Sequence, residues 1–233
     1  MVSNFYYTSM NFHPRDKNKI NHIGLIPDGT GRWAQKQGME LLDAYYFSSR
    51  RIYDFICLAI KKSVKIISIY GSSIQNYRRE KERIDAFTQA QKLFLKDILL
   101  PEANKNHWKI KIVGNLNLLP IDFQIFLENL QVKTSKYSQC VINFLIAYSP
   151  IDEIENAITI SKNNENVINN LWVKEPLDLV IRTGNANLLS NFLPLQAGYA
   201  RLYFIDKLFP EVDNIQYLKI IEEFSRLDRK FGD

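Results

Sequence analysis

Short apolar and β-branched runs, most of them closed by glycine or proline, recur along this chain with helical stretches between them. "HIGLI" (22–26) runs into Pro27 and Gly29, while "VKIISIYG" (64–71), "WKIKIVG" (108–114) and "LDLVIRTG" (177–184) each end on glycine. "CVINFLIAY" (140–148) is a continuous apolar run, and "RLYFIDKLFP" (201–210) contains a short sixth. Runs this short, bounded by turn formers, predict buried strands. Between them lie helical patterns at 43–62, 78–103, after Pro120 and at 152–163, with a last one from Asn214. Such alternation predicts an α/β fold: a mostly parallel central sheet of about six strands with helices on both faces. Ligands of such sheets bind outside the carboxyl ends of the strands. Here those ends carry Asp28, Ser72–Asn76, Gly114–Asn115, Tyr148 and Arg182–Asn185.

The 233 residues suit one domain over 21–233 with a polar and aromatic arm over 1–20. With 14 Phe, 12 Tyr and 3 Trp, the chain can line an apolar pocket as well as a core. No apolar run approaches the ~18 residues that cross a bilayer, and the first 20 residues lack the apolar stretch of a signal peptide. A cytoplasmic protein is expected. Cys57 and Cys140 lie in apolar stretches and read as reduced, buried thiols. The net charge is +5, but the basic residues are spread along the chain. That pattern argues against nucleic acid and for a few arginines at a phosphate site; a transient contact with an anionic membrane surface is compatible with it.

"IPDGTGRW" (26–33) is the first stretch that carries chemistry. At a strand's end, Gly29 and Gly31 let backbone N–H groups turn toward an anion. A helix beginning near Arg32 adds its dipole, and the Arg32 guanidinium matches phosphate oxygens. Asp28 cannot bind phosphate itself, but it can hold a Mg²⁺ that bridges to a diphosphate. The plainer alternative is a tight turn in which Asp28 caps a helix. The stretch is neither a P-loop nor a dinucleotide fingerprint. In the second stretch, 177–212, a strand delivers Arg182 and Thr183 to its end, and Ser190 and Asn191 cap a helix or face a ligand. "RREKER" (78–83) reads as a solvated helix face. His22 reads as a strand-start residue with a satisfied imidazole, and His13 and His107 as surface.

Together these stretches resemble the cis-prenyltransferases, the family of undecaprenyl and dehydrodolichyl diphosphate synthases. "HIGLIPDGTGRWA" (22–34) matches that family's H-x-x-x-x-x-D-G-N-G-R-W-A, with Thr30 for the asparagine. "YGSSIQNY" (70–77) corresponds to Y-x-F-S-x-E-N-W. "DLVIRTGNANLLSNF" (178–192) and "LQAGYARLYF" (195–204) correspond to D-L-x-I-R-T-x-G-E-x-R-x-S-N-F and W-Q-x-A-Y-x-E-L-Y-F. The resemblance covers residues 20 to 212. It implies an apolar tunnel between sheet and helices, a homodimer, and prenyl diphosphate substrates. Gly29, Thr30, Gly31, Arg32 and Trp33 would serve the allylic diphosphate, with Mg²⁺ on Asp28. Arg182 and Ser190 would hold isopentenyl diphosphate. Asp28, Arg32 and Asn76 would act in catalysis, Ser73, Tyr77 and Arg201 would border the substrates, and residues 72–83 would form a mobile lid.

The departures fall on polar positions. Leu188 and Ala186 replace an arginine and a glutamate of the late signature, and Arg201 replaces a glutamate on the magnesium side. Leu41 and Tyr45 replace an arginine and a histidine, and Gln75 and Tyr77 a glutamate and a tryptophan. The resulting expectation is an irregular condensation, or a cyclisation, of allylic diphosphates with loss of diphosphate. The alternatives are a regular elongating synthase that uses isopentenyl diphosphate and a non-catalytic subunit of a prenyltransferase complex.

Overall fold

The computed structural model describes residues 18–161 and 166–226. Six strands form one sheet in the order β3-β4-β2-β1-β5-β6, and every pairing is parallel. They are β1 (His22–Ile26), β2 (Ile66–Tyr70), β3 (Trp108–Val113), β4 (Cys140–Leu145), β5 (Leu179–Arg182) and β6 (Arg201–Phe204). The helices are α1 (Thr30–Gln37), α2 (Leu41–Lys61), α3 (Lys81–Phe94), α4 (Leu100–Asn106), α5 (Ile121–Thr134), α6 (Pro150–Ile160) and α7 (Asn214–Phe224). The helix expected over 78–103 starts later and is interrupted by a π-helical turn at Leu95–Leu99. The arm expected at 1–20 lies almost wholly outside the described residues, as does His13.

Period-two burial divides the strand side chains between two cores. Ile23, Leu25, Ile67, Ile69, Leu179 and Ile181 pack under α2, α3 and α7. Ile26, Tyr70, Val180 and Leu145 point the other way. That second face differs from the expected helical layer. Much of it is covered by the irregular chain 171–200, through Val173, Leu177, Phe192, Leu193 and Ala197. Of the two alternatives for Ser190 and Asn191, the helix cap does not form: Ser190, Asn191 and Leu193 all adopt positive φ (49°, 63° and 42°), and Ser190 and Asn191 line the cavity described below. Glu153 of α6 ties this covering down, accepting bonds from the Tyr148 hydroxyl (2.5 Å) and the Val173 amide (2.9 Å). Burial raises the Glu153 pKa, and the bonds from Tyr148 and Val173 offset part of that rise. Cys140 is buried and Cys57 only partly so; both are free thiols.

The two sheet edges are treated differently. On β3, side chains of α5 cap the edge: the Ile110 amide bonds Thr134 Oγ1 (3.1 Å) and the Ile112 amide bonds Gln131 Oε1 (2.9 Å). β6 forms the other edge, where Leu202 and Phe204 are 42% and 37% exposed among the described residues. No helix of the described residues is long and apolar enough to cross a membrane.

Candidate active site

From β1 the chain runs to β2, out to β3 at the edge and back to β4 between them, then crosses β1 to lay down β5 and β6. The carboxyl ends of β1, β2 and β5 therefore border a crevice at the point where the winding reverses, the usual ligand position in such sheets. A cavity of about 580 Å³ opens there, between the sheet edge and helices α2 and α3. Among its lining residues, four guanidiniums (Arg32, Arg79, Arg83, Arg182) face one carboxylate, Asp28. That imbalance suits an anion.

The sheet side of the cavity is a tight network. Ile26 pairs with Arg182 across β1 and β5, so Asp28 leaves β1 beside the end of β5. Arg182 Nη2 donates to Asp28 Oδ2 (2.8 Å), and Nη1 donates to Ser190 Oγ (2.7 Å) and the Leu188 carbonyl (2.8 Å). Arg32 Nη2 donates to the Gly184 carbonyl (2.7 Å) and, at 3.3 Å, to Asp28 Oδ1. The Asp28 carbonyl accepts from the Thr183 hydroxyl (2.8 Å) and the Phe209 amide (3.0 Å). The buried Tyr70 hydroxyl donates to the Ser190 carbonyl (3.0 Å), and desolvation pushes its pKa up to about 12. Sequence reasoning did not identify Tyr70 as the residue that holds Ser190 in place.

Gly29, not Asp28, sits at the N-cap of α1. It adopts φ 114°, a conformation a side chain would strain, and no side chain caps the helix. The first intrahelical bond runs from the Trp33 amide to the Gly29 carbonyl (2.9 Å), so the amides before it have no intrahelical acceptor. Gly29, Thr30 and Gly31 line the cavity. The capping role considered for Asp28 is thus replaced by its two arginine contacts. Thr30 is buried and its hydroxyl pairs with Ser48 Oγ (2.9 Å) of α2.

Across from this network, α2 contributes Tyr45, Ser48, Ser49 and Ile52, and α3 contributes Arg83, Phe87, Ala90 and Gln91. Ser73 and Asn76 also line the cavity, and Asn76 Oδ1 accepts from the Ser73 amide (2.8 Å) to close a short 3₁₀ turn at Ile74–Arg78. Gln91 is buried; its Nε2 donates to the Gly71 carbonyl (2.9 Å), which leaves Oε1 without a partner.

Three expected site residues fall elsewhere. Trp33 stacks on Phe47 at 5.1 Å on the outer side of α1. Tyr77 turns inward, edge-on to Phe87 (5.4 Å), with its hydroxyl 3.4 Å from Ser72 Oγ. Arg201 opens β6 and pairs with Leu179, whereas Phe204 pairs with Arg182. It therefore lies at the far end of its strand, about 10 Å from Arg182 by strand rise, and not beside Asp28. A missed residue balances these. Arg83 belongs to the segment expected to be a solvated face, yet it lines the cavity. Its spacing to Phe87, Ala90 and Phe94 places it on the buried stripe of α3, and that spacing was readable in the sequence.

No group of three His, Cys, Asp or Glu side chains able to hold a metal exists among the described residues. Both Asp28 oxygens accept from arginines. The donor set therefore suits a Mg²⁺ only as an ion arriving on a diphosphate, with Asp28 as its protein ligand.

The family model for undecaprenyl diphosphate synthases matches residues 26–232. The chain belongs to this prenyltransferase family. An isoprenyl transferase of Streptococcus mutans is 31% identical over 91% of this chain and 92% of its own length. The tritrans,polycis-undecaprenyl-diphosphate synthase (geranylgeranyl-diphosphate specific) of Pyrococcus furiosus is 29% identical over 91% of this chain and 86% of its own length. The crystal structure of lavandulyl diphosphate synthase from Lavandula x intermedia, in complex with dimethylallyl diphosphate, superposes with a TM-score of 0.86 at 22% identity. It covers 94% of this chain and all of that one, and shares the fold.

Proposed function

We propose that this family member transfers the prenyl group of a short allylic diphosphate to the alkene of a second prenyl diphosphate. The observation that carries the reading is the juxtaposition of the uncapped α1 terminus with Arg32, Asp28, Arg182 and Ser190 at one rim. Named relatives act on isoprenoid diphosphates, and a solved neighbour holds dimethylallyl diphosphate.

In this reading the allylic C–O bond breaks and its electron pair leaves with the diphosphate. The amides of Thr30 and Gly31 and the Arg32 guanidinium meet the charge that develops on the leaving oxygens. Arg182 and Ser190, already bonded to each other, hold the second diphosphate. Its alkene attacks the allylic carbon, and the resulting cation loses a proton to the released diphosphate. Mg²⁺, held by Asp28 when it arrives with substrate, would neutralise part of the diphosphate charge. A second copy docking along β6 would bury Leu202 and Phe204, giving a homodimer.

Two observations favour an irregular or short product over long-chain elongation. The cavity, about 580 Å³, suits short prenyl chains better than a long product. The second diphosphate site keeps Arg182 and Ser190, but Leu188 and Ala186 supply no charge to it. The competing reading, regular elongation with isopentenyl diphosphate, is favoured by the family itself and by the intact Arg182–Ser190 pair. Incubating the protein with dimethylallyl or geranyl diphosphate, each with and without isopentenyl diphosphate and Mg²⁺, separates them. Mass spectrometry should show a coupled product from the allylic substrate alone. Product only with isopentenyl diphosphate supports elongation, and a cyclised hydrocarbon points to cyclisation. Silence in every mixture contradicts an enzymatic role for the isolated chain.

A further inference from the structure

Of the four lining arginines, Arg32 and Arg182 are bonded to protein acceptors and Arg79 is exposed to solvent. Arg83 is different. Its Nε, like that of Arg182, is buried with no hydrogen-bond partner, but where the Arg182 Nη atoms are bonded to protein acceptors, the Arg83 guanidinium makes no ion pair or hydrogen bond among the described residues. The acids near it in sequence, Glu80, Glu82 and Asp85, do not pair with it, and the sole lining carboxylate is occupied by Arg32 and Arg182. Leaving a buried donor unanswered is costly, so native chains seldom do it without a use.

The position of the group supplies the use. Its terminal nitrogen packs directly on Gly31, and any Cβ at 31 would collide with it. The guanidinium therefore stands over the first turn of α1, where the uncapped amides open into the same cavity. Phe87, Ala90 and Gln91, on the same stripe of α3, line the wall behind it. A fork of N–H donors that lacks only an acceptor, beside a helix terminus that also lacks one, is complementary to a shared phosphate group.

We propose that Arg83 is a binding residue for the diphosphate of the allylic substrate, clamping it against the start of α1 from the side opposite Arg182. The assignment rests on the function proposed above. It makes Arg83 specific for the allylic partner: the second diphosphate, on Arg182 and Ser190, lies on the other side of the rim.

Calorimetric titration tests this with inorganic pyrophosphate, geranyl S-thiolodiphosphate (whose C–S bond resists cleavage) and isopentenyl diphosphate. The proteins are the wild type, Arg83→Gln and Arg83→Lys, and thermal unfolding of each is measured without ligand. Arg83→Gln should weaken the thiolodiphosphate at least about 10-fold, the scale of one charge-assisted hydrogen bond. It should leave isopentenyl diphosphate within about 2-fold, as for well-separated sites. Arg83→Lys should recover part of the loss, and the ligand-free unfolding temperature should not fall, because no internal bond is removed. If the wild type binds and Arg83→Gln binds equally well, the Arg83 assignment is overturned while the family function stands. An unfolding temperature that falls with affinity unchanged makes Arg83 a packing residue and also overturns it. No binding of any probe by the wild type overturns both this assignment and the function it rests on.

Discussion

The two banks of the cavity are built in opposite ways. On the sheet bank the charged groups are bonded to one another, with only Arg182 Nε left without a partner: Arg182 to Asp28, Ser190 and the Leu188 carbonyl, and Arg32 to Asp28 and the Gly184 carbonyl. On the helix bank, Arg83 and the first amides of α1 face the same space with no acceptor. The first bank is a scaffold that keeps its shape without ligand. The second is incomplete until an anion arrives. Preorganised charge held by a rigid network is what a departing diphosphate needs, and unanswered donors are what recruits it.

The contrast breaks first if the sheet bank is cut. Asp28→Ala leaves Arg182 Nη2 without its acceptor. We expect turnover to fall at least ~100-fold and stability to fall by roughly 2 kcal/mol, less than for a fully buried pair because Asp28 is one-third exposed. Arg32→Ala should cost as much turnover with a smaller change in unfolding temperature. Steady-state rates and thermal melts check both; near-normal turnover in either variant would remove the rim from the mechanism.

His22 sharpens the contrast from inside the sheet, where a buried polar group is answered by neutral partners. Its Nε2 pairs with Ser68 Oγ (2.7 Å) and its Nδ1 with the Glu175 carbonyl (3.0 Å), and Asn143 bonds the same Ser68. Desolvation lowers its pKa to about 4, against the partly opposing charges of Glu175 and Asp178. A depressed histidine pKa means that stability is fully present above the unfolded value near 6.5 and is lost as pH falls through about 4. The His22 contribution to that loss is about 3 kcal/mol. Urea denaturation from pH 7 to 4 should show it, and His22→Gln should flatten that part of the profile. An unchanged profile would contradict a buried neutral imidazole.

The smallest effect concerns the helix bank alone. Gly31→Ala improves helix propensity by up to ~1 kcal/mol, so the melting temperature should hold or rise. Its Cβ must displace the flexible end of Arg83. Allylic thiolodiphosphate affinity should therefore fall about 10-fold, and the substitution should add little on top of Arg83→Gln. Fully additive losses would show that the methyl group, not Arg83, blocks the ligand.

How much of this was legible follows from where each signal resides. All six strands were readable because a parallel sheet buries short apolar runs on both faces and glycine or proline marks most of their ends. Asp28, Arg32, Arg182 and Ser190 were readable because polar residues at those ends have nowhere to point but the crevice. Arg83 was hidden by its neighbours. Arg78, Arg79, Glu80, Lys81 and Glu82 are exposed, and a charge run masks the one member that falls on the stripe of Phe87 and Phe94. Arg201 was misplaced because a motif in one dimension does not say which end of a strand faces the ligand; the register with Leu179 does. For Ser190 and Asn191 the sequence left a helix cap or a ligand-facing position open; the chain takes positive φ there, Ser190 meets both Arg182 and Tyr70, and both residues line the cavity.

The most direct test of the central claim is a crystal structure of the protein with geranyl S-thiolodiphosphate bound. The account predicts the diphosphate lodged between the amides at the start of α1, Arg32 and Arg83, with the Arg83 Nε bonded at last. Density for the ligand anywhere else, with that rim empty and Arg83 still without an acceptor, would contradict it.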